Sequence, residues 1–254
     1  FKQTKTIIHL DITEGGLDII NKNLALNFLN SISIGKERSI LNEKYPQGFL
    51  SYYPNDIFFT WGNRSLKNYL NSYNLKRNII ISGHATMSKK LHNIKSIDLE
   101  LNNFKKNYKN KLLIIDNMHS FNKSLSGQNI YTPFMENFLE FFIKLVKDDK
   151  NYTVLYKIKD KKSITNFQNY NLHDQITSIS DRFIILDDPV NTDPYMFAQF
   201  CDLSISINVH LSTSIIENAI CGYKSIHYDF MNTEKYESEL YKFGKNKIIF
   251  NNFD

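Results

Sequence analysis

Apolar residues along this chain fall into short continuous runs separated by stretches with helical spacing. Thr6-Ile7-Ile8-His9-Leu10 predicts a strand leading into Asp11-Ile12-Thr13-Glu14-Gly15-Gly16, a turn with two glycines. Leu17 to Leu29 predicts a helix, Tyr45-Pro46-Gln47-Gly48 a turn, and Asp56 to Gly62 a buried strand closed by glycine. Leu66, Tyr69, Leu70 and Tyr73 share one helical face, and Asn78 to Gly83 reads as the next strand. Residues 84–110 then turn rich in Lys and Asn, with only scattered apolar positions.

A second series opens at Lys111-Leu112-Leu113-Ile114-Ile115-Asp116, a run of the kind buried on both faces of a parallel sheet. After a polar loop holding Ser124, Ser126 and Gly127, a helix is predicted from Pro133 to Lys147, with Phe134, Phe138, Phe141, Phe142 and Leu145 as its apolar stripe. Strands are predicted at Tyr152–Lys157, Arg182–Leu186, Asp202–Ile207, Lys224–Asp229 and Lys247–Phe250. Helices are predicted at Asp193–Phe200, Ser214–Cys221 and Thr233–Phe243, with Gly222 at a left-handed cap. This alternation predicts right-handed β-α-β units and parallel sheets. The break divides the chain into a partial N-terminal lobe at 1–84, a linker at 85–110 and a C-terminal lobe at 111–254, with a cleft expected between the lobes. Ligands of open α/β sheets bind beyond the carboxyl ends of the strands.

Composition narrows the classes. With 42% hydrophobic and 14% aromatic residues among 254, the chain can bury a core and is not a disordered tail. No run approaches the roughly 18–20 apolar residues that cross a bilayer. The net charge of +5 is spread along the chain without a basic block, which favours a solvated face over a nucleic-acid surface. Cys201 and Cys221 lack metal or CxxC spacing and read as buried thiols of a reducing compartment. A chain starting at Phe1 and stopping at Asp254 just after a strand-like run reads as a piece of a longer protein.

The chemistry concentrates in Asp202-Leu203-Ser204-Ile205-Ser206-Ile207 followed by Ser212-Thr213-Ser214-Ile215-Ile216-Glu217, a strand, a polar turn and a helix start. Free backbone N–H groups and hydroxyls at such a start suit a phosphate, and Glu217, one turn in, suits ribose hydroxyls. Ser214-x-x-Glu217 is equally a capping box that needs no ligand. The same stretch, continuing through Asn218-Ala219-Ile220-Cys221-Gly222-Tyr223-Lys224-Ser225-Ile226-His227-Tyr228-Asp229, resembles the nucleotide-binding lobe of GT-B glycosyltransferases, nearest to those of bacterial surface-carbohydrate (capsule and lipopolysaccharide) synthesis. Asp56–Gly62 and Ile79–Gly83 are similar to the end of the N-terminal lobe in that family.

The resemblance implies a GT-B-like fold of two Rossmann-like lobes with parallel sheets, the N-terminal lobe incomplete. It also implies transfer of a sugar from a nucleotide-activated donor, CMP-linked by preference, to a glycan or glycolipid acceptor. Ser212, Thr213, Ser214 and Glu217 then meet the donor. Relatives using CMP-sugars carry a His-Pro pair where this chain has Tyr156-Lys157-Ile158-Lys159-Asp160, so Lys157 and Lys159 either supply the positive charge or form a solvated strand end. Thr13-Glu14-Gly15-Gly16 falls where relatives carry a loop facing the cleft, and inversion needs a base for the acceptor hydroxyl. Glu14 is the first choice, Asp11 its rival and a plain surface turn the alternative, while a retaining route with a carboxylate nucleophile stays open. Gly15, Gly16 and His84 are expected to line the cleft, and His210 to reach the phosphate. Asp187-Asp188-Pro189 reads as a turn, and no Asp-x-Asp metal signal occurs, so the expectation is no metal and no cofactor.

Other readings are a CDP-polyol phosphotransferase or UDP-sugar epimerase on the same scaffold, or a non-catalytic glycan- or partner-binding lobe. The location implied is cytoplasmic, with peripheral contact at the inner membrane face or with other biosynthesis proteins, and without nucleic acid.

Overall fold

In the computed structural model the described residues are 8–11, 17–37, 55–63, 66, 78–84, 109–117, 119–120, 130–159, 172–186, 193–207, 212–230 and 243–252. The chain divides into two units, Phe1–Lys90 and Leu91–Asp254. The expected linker at 85–110 lies outside the described residues except at its last two positions, as do the predicted helical face of Leu66, Tyr69, Leu70 and Tyr73, apart from Leu66, and nearly all of the predicted helix at Thr233–Phe243.

The first unit carries a parallel sheet whose strands lie in chain order: β1 (Ile8–Asp11), β2 (Ile32–Lys36), β3 (Ile57–Thr60) and β4 (Asn78–Ile81). Helix α1 (Leu17–Phe28) joins β1 to β2 and buries Asn23 and Leu26. Strand β2 has no counterpart in the sequence reading because its polarity is inverted. Ser33 is fully buried and Gly35 buried, while Ile32 is 45% exposed. Gly35 is required by contact, since a Cβ there would stand 2.5 Å from Asn55 Oδ1 and 2.9 Å from the Phe58 ring. Asn55 in turn donates to Asn23 Oδ1 of α1 at 3.4 Å, tying the helix to this face.

In the second unit six parallel strands form one sheet. They are β5 (Asn110–Ile115), β8 (Tyr152–Lys157), β9 (Phe183–Leu186), β10 (Leu203–Ile207), β11 (Ser225–Tyr228) and β12 (Ile249–Phe250), in the spatial order β12-β11-β10-β5-β8-β9. Counted within the unit this is 6-5-4-1-2-3, the doubly wound arrangement, and the order reverses between β5 and β10. The two-residue strands β6 (His119–Ser120) and β7 (Ile130–Tyr131) pair separately.

Four helices complete the description of this unit: α2 (Thr132–Asp148), α3 (Leu172–Thr177), α4 (Pro194–Ala198) and α5 (Thr213–Ile220). Helix α2 packs Met135, Phe138, Leu139, Phe142, Ile143 and Val146 into a core with Leu112, Ile114, Val154, Tyr156, Ile205 and Ile207. Each such side chain contributes about 1.5–3 kcal/mol by burial. The buried stripe starts from Met135, so the predicted stripe is corrected: Phe134 is 44% and Phe141 37% exposed. Phe134 instead rests on Phe230, with ring centroids 5.0 Å apart. On the opposite face of the sheet Leu113, Ile115 and Leu155 pack with Phe197, Ala198 and Ile215 of α4 and α5. Among the described residues no helix is long and apolar enough to cross a membrane.

Candidate functional site

Because the six strands of this sheet are parallel, their carboxyl ends gather at one edge, and the reversal between β5 and β10 marks the point at which ligands of open α/β sheets bind. At the end of β5 stand Asp116 and Asn117, 5% and 6% exposed. The Asp116 N–H donates to the Lys157 carbonyl at 3.0 Å, and Asp116 Oδ2 accepts from the Lys159 backbone N–H at 3.2 Å. Lys159 Nζ, on an exposed residue, donates to Asn117 Oδ1 at 2.8 Å. The carboxyl ends of β5 and β8 are thus laced together by one carboxylate, one amide and one ammonium.

Lys157 is not a solvated strand end. It is 3% exposed, and its ammonium donates to the Ile158 carbonyl at 3.1 Å. It shares a sheet face with Leu155, the face covered by α4 and α5. Across the reversal, Ser206 Oγ lies 3.3 Å from His227 Nδ1, both fully buried, and Asp229 follows β11 at 1% exposure.

Helix α5 rises from the β10 side. Its N-cap is Ser212, with extended backbone and no side-chain capping bond, so the expected capping box at Ser214 is corrected to a start two residues earlier. The N–H groups of Ile215 and Ile216 reach back to the Ser212 carbonyl, which leaves those of Thr213 and Ser214 ahead of the intrahelical ladder. The helix end does follow the sequence reading. Gly222 has φ +84°, its N–H meets the Ala219 carbonyl, and the Tyr223 N–H meets that of Asn218. The outward donors and the helix dipole favour an anion by roughly 0.3–1 kcal/mol at an exposed start. Ser212, Thr213, Ser214 and Glu217 are all half-buried.

Glu217 lies within electrostatic reach of Tyr195 on α4. Burial above all, then Asp193, which also takes a hydrogen bond, then Cys221 and Glu217, push the Tyr195 hydroxyl up to about 12. Neither cysteine is in a disulfide, both are half-buried rather than fully buried, and burial raises the Cys201 thiol to about 12.

In the first unit the carboxyl edge carries Asp11 at the end of β1, Glu37 just after β2, Trp61 after β3 and His84 after β4. Glu14, Gly15, Gly16 and His210 lie outside the described residues. Asp116, Asn117, Ser206 and His227 escaped the sequence reading because each looks like an ordinary strand terminator or an alternating polar position. The signal for them is the strand order, which brings the ends of β5, β10 and β11 together beside the reversal. Among the described residues no group of three or more His, Cys, Asp or Glu has an arrangement that could hold a metal ion.

No protein-family model matches the chain, and no curated protein matches it. Solved structures do. The UDP-N-acetylglucosamine 2-epimerase of Rickettsia bellii aligns with a TM-score of 0.59 and 12% identity, covering 89% of this chain and 57% of that one. S. aureus MnaA in a co-structure with UDP aligns with a TM-score of 0.58 and 13% identity, covering 94% of this chain and 66% of that one. A glycosyltransferase of Rickettsia africae aligns with a TM-score of 0.49 and 12% identity, covering 95% of this chain and 62% of that one. The first two likenesses establish the fold: GT-B-like α/β with parallel sheets, of which this chain spans 57% and 66% of the neighbours' lengths.

Proposed function

We propose that the protein is a sugar-nucleotide enzyme of the GT-B type. In this reading the donor's diphosphate sits at the reversal point of the second unit, between the α5 start and the ends of β5 and β8. The single observation that carries it is the β12-β11-β10-β5-β8-β9 order, which brings an open helix start beside two laced strand ends. Strands β8 and β10 flank β5, so their ends stand two ladder steps, about 10 Å, apart. A nucleoside diphosphate bridges such a gap. Ser212, Thr213 and Ser214 would then hold one phosphate, and Lys157 and Lys159 would offset its charge from the other side, with His210 a further candidate contact. Glu217 would accept from the ribose.

The reaction proposed is glycosyl transfer to a glycan or glycolipid acceptor, as in bacterial surface-polysaccharide synthesis. An acceptor hydroxyl attacks the anomeric carbon, the bond from that carbon to the donor oxygen breaks, and the electron pair leaves with the nucleotide. The hydroxyl proton passes to Glu14 or to Asp11, beside Gly15 and Gly16. Residues 1–84 would form the acceptor side and 111–254 the donor side, joined by 85–110, in a cytoplasmic protein peripheral to the membrane. UDP is the nucleotide to test first, because one structural neighbour was solved with UDP and the other is a UDP-N-acetylglucosamine 2-epimerase. CMP is the comparison.

A second reading, epimerisation of a UDP-sugar, is favoured by the name of the R. bellii neighbour. Calorimetric titration with UDP, CMP, CDP and GDP tests the donor site, and binding of none by the folded protein refutes the proposal. Product analysis with a labelled donor separates the reactions: label on an acceptor supports transfer, and an epimerised sugar nucleotide supports the second reading.

A further inference from the structure

The first unit holds a group of side chains that the nucleotide reading leaves unused. Glu37, just past β2, is 2% exposed, and its N–H donates to the Phe59 carbonyl at 2.8 Å. Its carboxylate accepts the Trp61 backbone N–H at 2.6 Å, while its own carbonyl accepts the indole N–H at 3.1 Å. One residue therefore fixes both the backbone and the ring of Trp61. The ring, half-buried, lies against His84, also half-buried, with centroids 4.2 Å apart at 44°. Beside the pair, Gly62 and Gly83 present no side chain, and a Cβ on either would meet nothing within 4 Å. The exposed Ser82 donates its hydroxyl to the Thr60 and Gly83 carbonyls.

A carboxylate withdrawn from water is costly unless its hydrogen bonds are well made. Here that group holds the Trp61 backbone N–H, and the carbonyl of the same residue holds the indole, at the carboxyl edge of a parallel sheet, the edge at which α/β ligands bind. We propose that Trp61 and His84 form a stacking platform for the pyranose ring of a sugar. A pyranose has one apolar C–H face and a rim of hydroxyls. The indole face, negative at its centre, suits the former, and the Ser82 hydroxyl and His84 nitrogens suit the latter. Glu37 is a positioning residue. The assignment rests on the sugar-nucleotide reading above, and the ring belongs to the donor's sugar or to the acceptor.

Trp61 is the only tryptophan in the chain, so its fluorescence reports the platform alone. The intact protein is titrated with UDP, with UDP-N-acetylglucosamine, and with a panel of neutral, N-acetylated and acidic methyl pyranosides. The expected result is a change in Trp61 emission with sugar-bearing ligands and none with UDP. A response to a methyl glycoside marks the acceptor as the source, and a response to the sugar nucleotide alone marks the donor.

His84→Ala, checked for folding by circular dichroism, should weaken sugar binding by about 2- to 12-fold and leave UDP binding unchanged. Glu37→Ala should raise the mobility of Trp61 seen by fluorescence anisotropy, and Glu37→Gln should restore it. The platform is overturned if sugar binding seen by calorimetry leaves the emission untouched, or if no sugar in the panel binds up to about 10 mM. It is equally overturned if His84→Ala weakens UDP as much as sugar. If UDP fails to bind while a sugar shifts the emission, the platform stands and the nucleotide site falls.

Discussion

Replacing Thr213 with proline isolates the backbone contribution of the α5 start. Proline is tolerated at the first helical position, where its missing N–H takes no part in the helix ladder. It also requires an extended residue before it. Ser212 already has φ −69° and ψ 133°, so the backbone is prepared for the change. Fold stability should therefore stay within about 0.5 kcal/mol of the parent. For a bound phosphate the variant removes one N–H donor and one hydroxyl. A hydrogen bond to a charged group contributes about 1.5–3 kcal/mol, which converts to roughly 10- to 150-fold weaker UDP binding. Thr213→Ala keeps the N–H and loses only the hydroxyl, so its loss should be much smaller. Isothermal titration with UDP, alongside a denaturation curve for each variant, measures both quantities. A Thr213→Pro protein that is stably folded and binds UDP within twofold of the parent would refute the placement of a phosphate at this helix.

Four further outcomes test the packing and the thiols. Phe138→Ala, at a fully buried site with its ring 5.0 Å from Phe142 and 5.7 Å from Tyr228, should cost about 3–5 kcal/mol in urea denaturation. Phe134→Ala, 44% exposed, should cost under about 1 kcal/mol in the same assay. Gly35→Ala should destabilise the first unit by about 1–3 kcal/mol, because the added methyl meets Asn55 and Phe58; a neutral result would show that both neighbours yield freely. The Cys201 thiol, held near 12, is about a thousandfold less ionised at pH 8 than an ordinary thiol. A thiol-reactive chromophore should accordingly modify it slowly in the native state, with the rate rising as pH approaches 12, and Cys221→Ser identifies which thiol is observed.

The second unit was legible in the sequence where strands are buried on both faces. Lys111–Asp116 and Tyr152–Lys157 are apolar enough that pattern alone fixes them, and β5 and β8 match those runs closely. Gly222 likewise announced the end of α5, because a residue with positive φ after a helix favours glycine. Strand β2 was hidden, since Ser33 and Gly35 face inward beneath α1 and reverse the usual alternation. The stripe of α2 was displaced because five aromatic and aliphatic residues offered two overlapping helical faces, and only the sheet beneath selects the one centred on Phe138, Leu139 and Phe142. Lys157 reads as a surface residue by type, yet its strand neighbours Leu155 and Tyr156 place it in the interior. Glu37 and its grip on Trp61 could not be read at all. The contact joins two strands across 24 positions, and neither residue carries a local signature.

The position of β5 has a consequence for how the second unit is made. It emerges first among the six strands yet lies in the middle of the finished sheet, and its partner on one side arrives last of the pair by a wide margin. The Lys111 N–H is received by the Asp202 carboxylate across 91 positions. Closing so long a loop carries a large entropic debt before any contact rewards it. Until β10 is synthesised, one edge of β5 lacks its strand partner, so joining the two halves of the sheet is a non-local docking step, and an unpaired strand edge is open to capture by another copy of the chain.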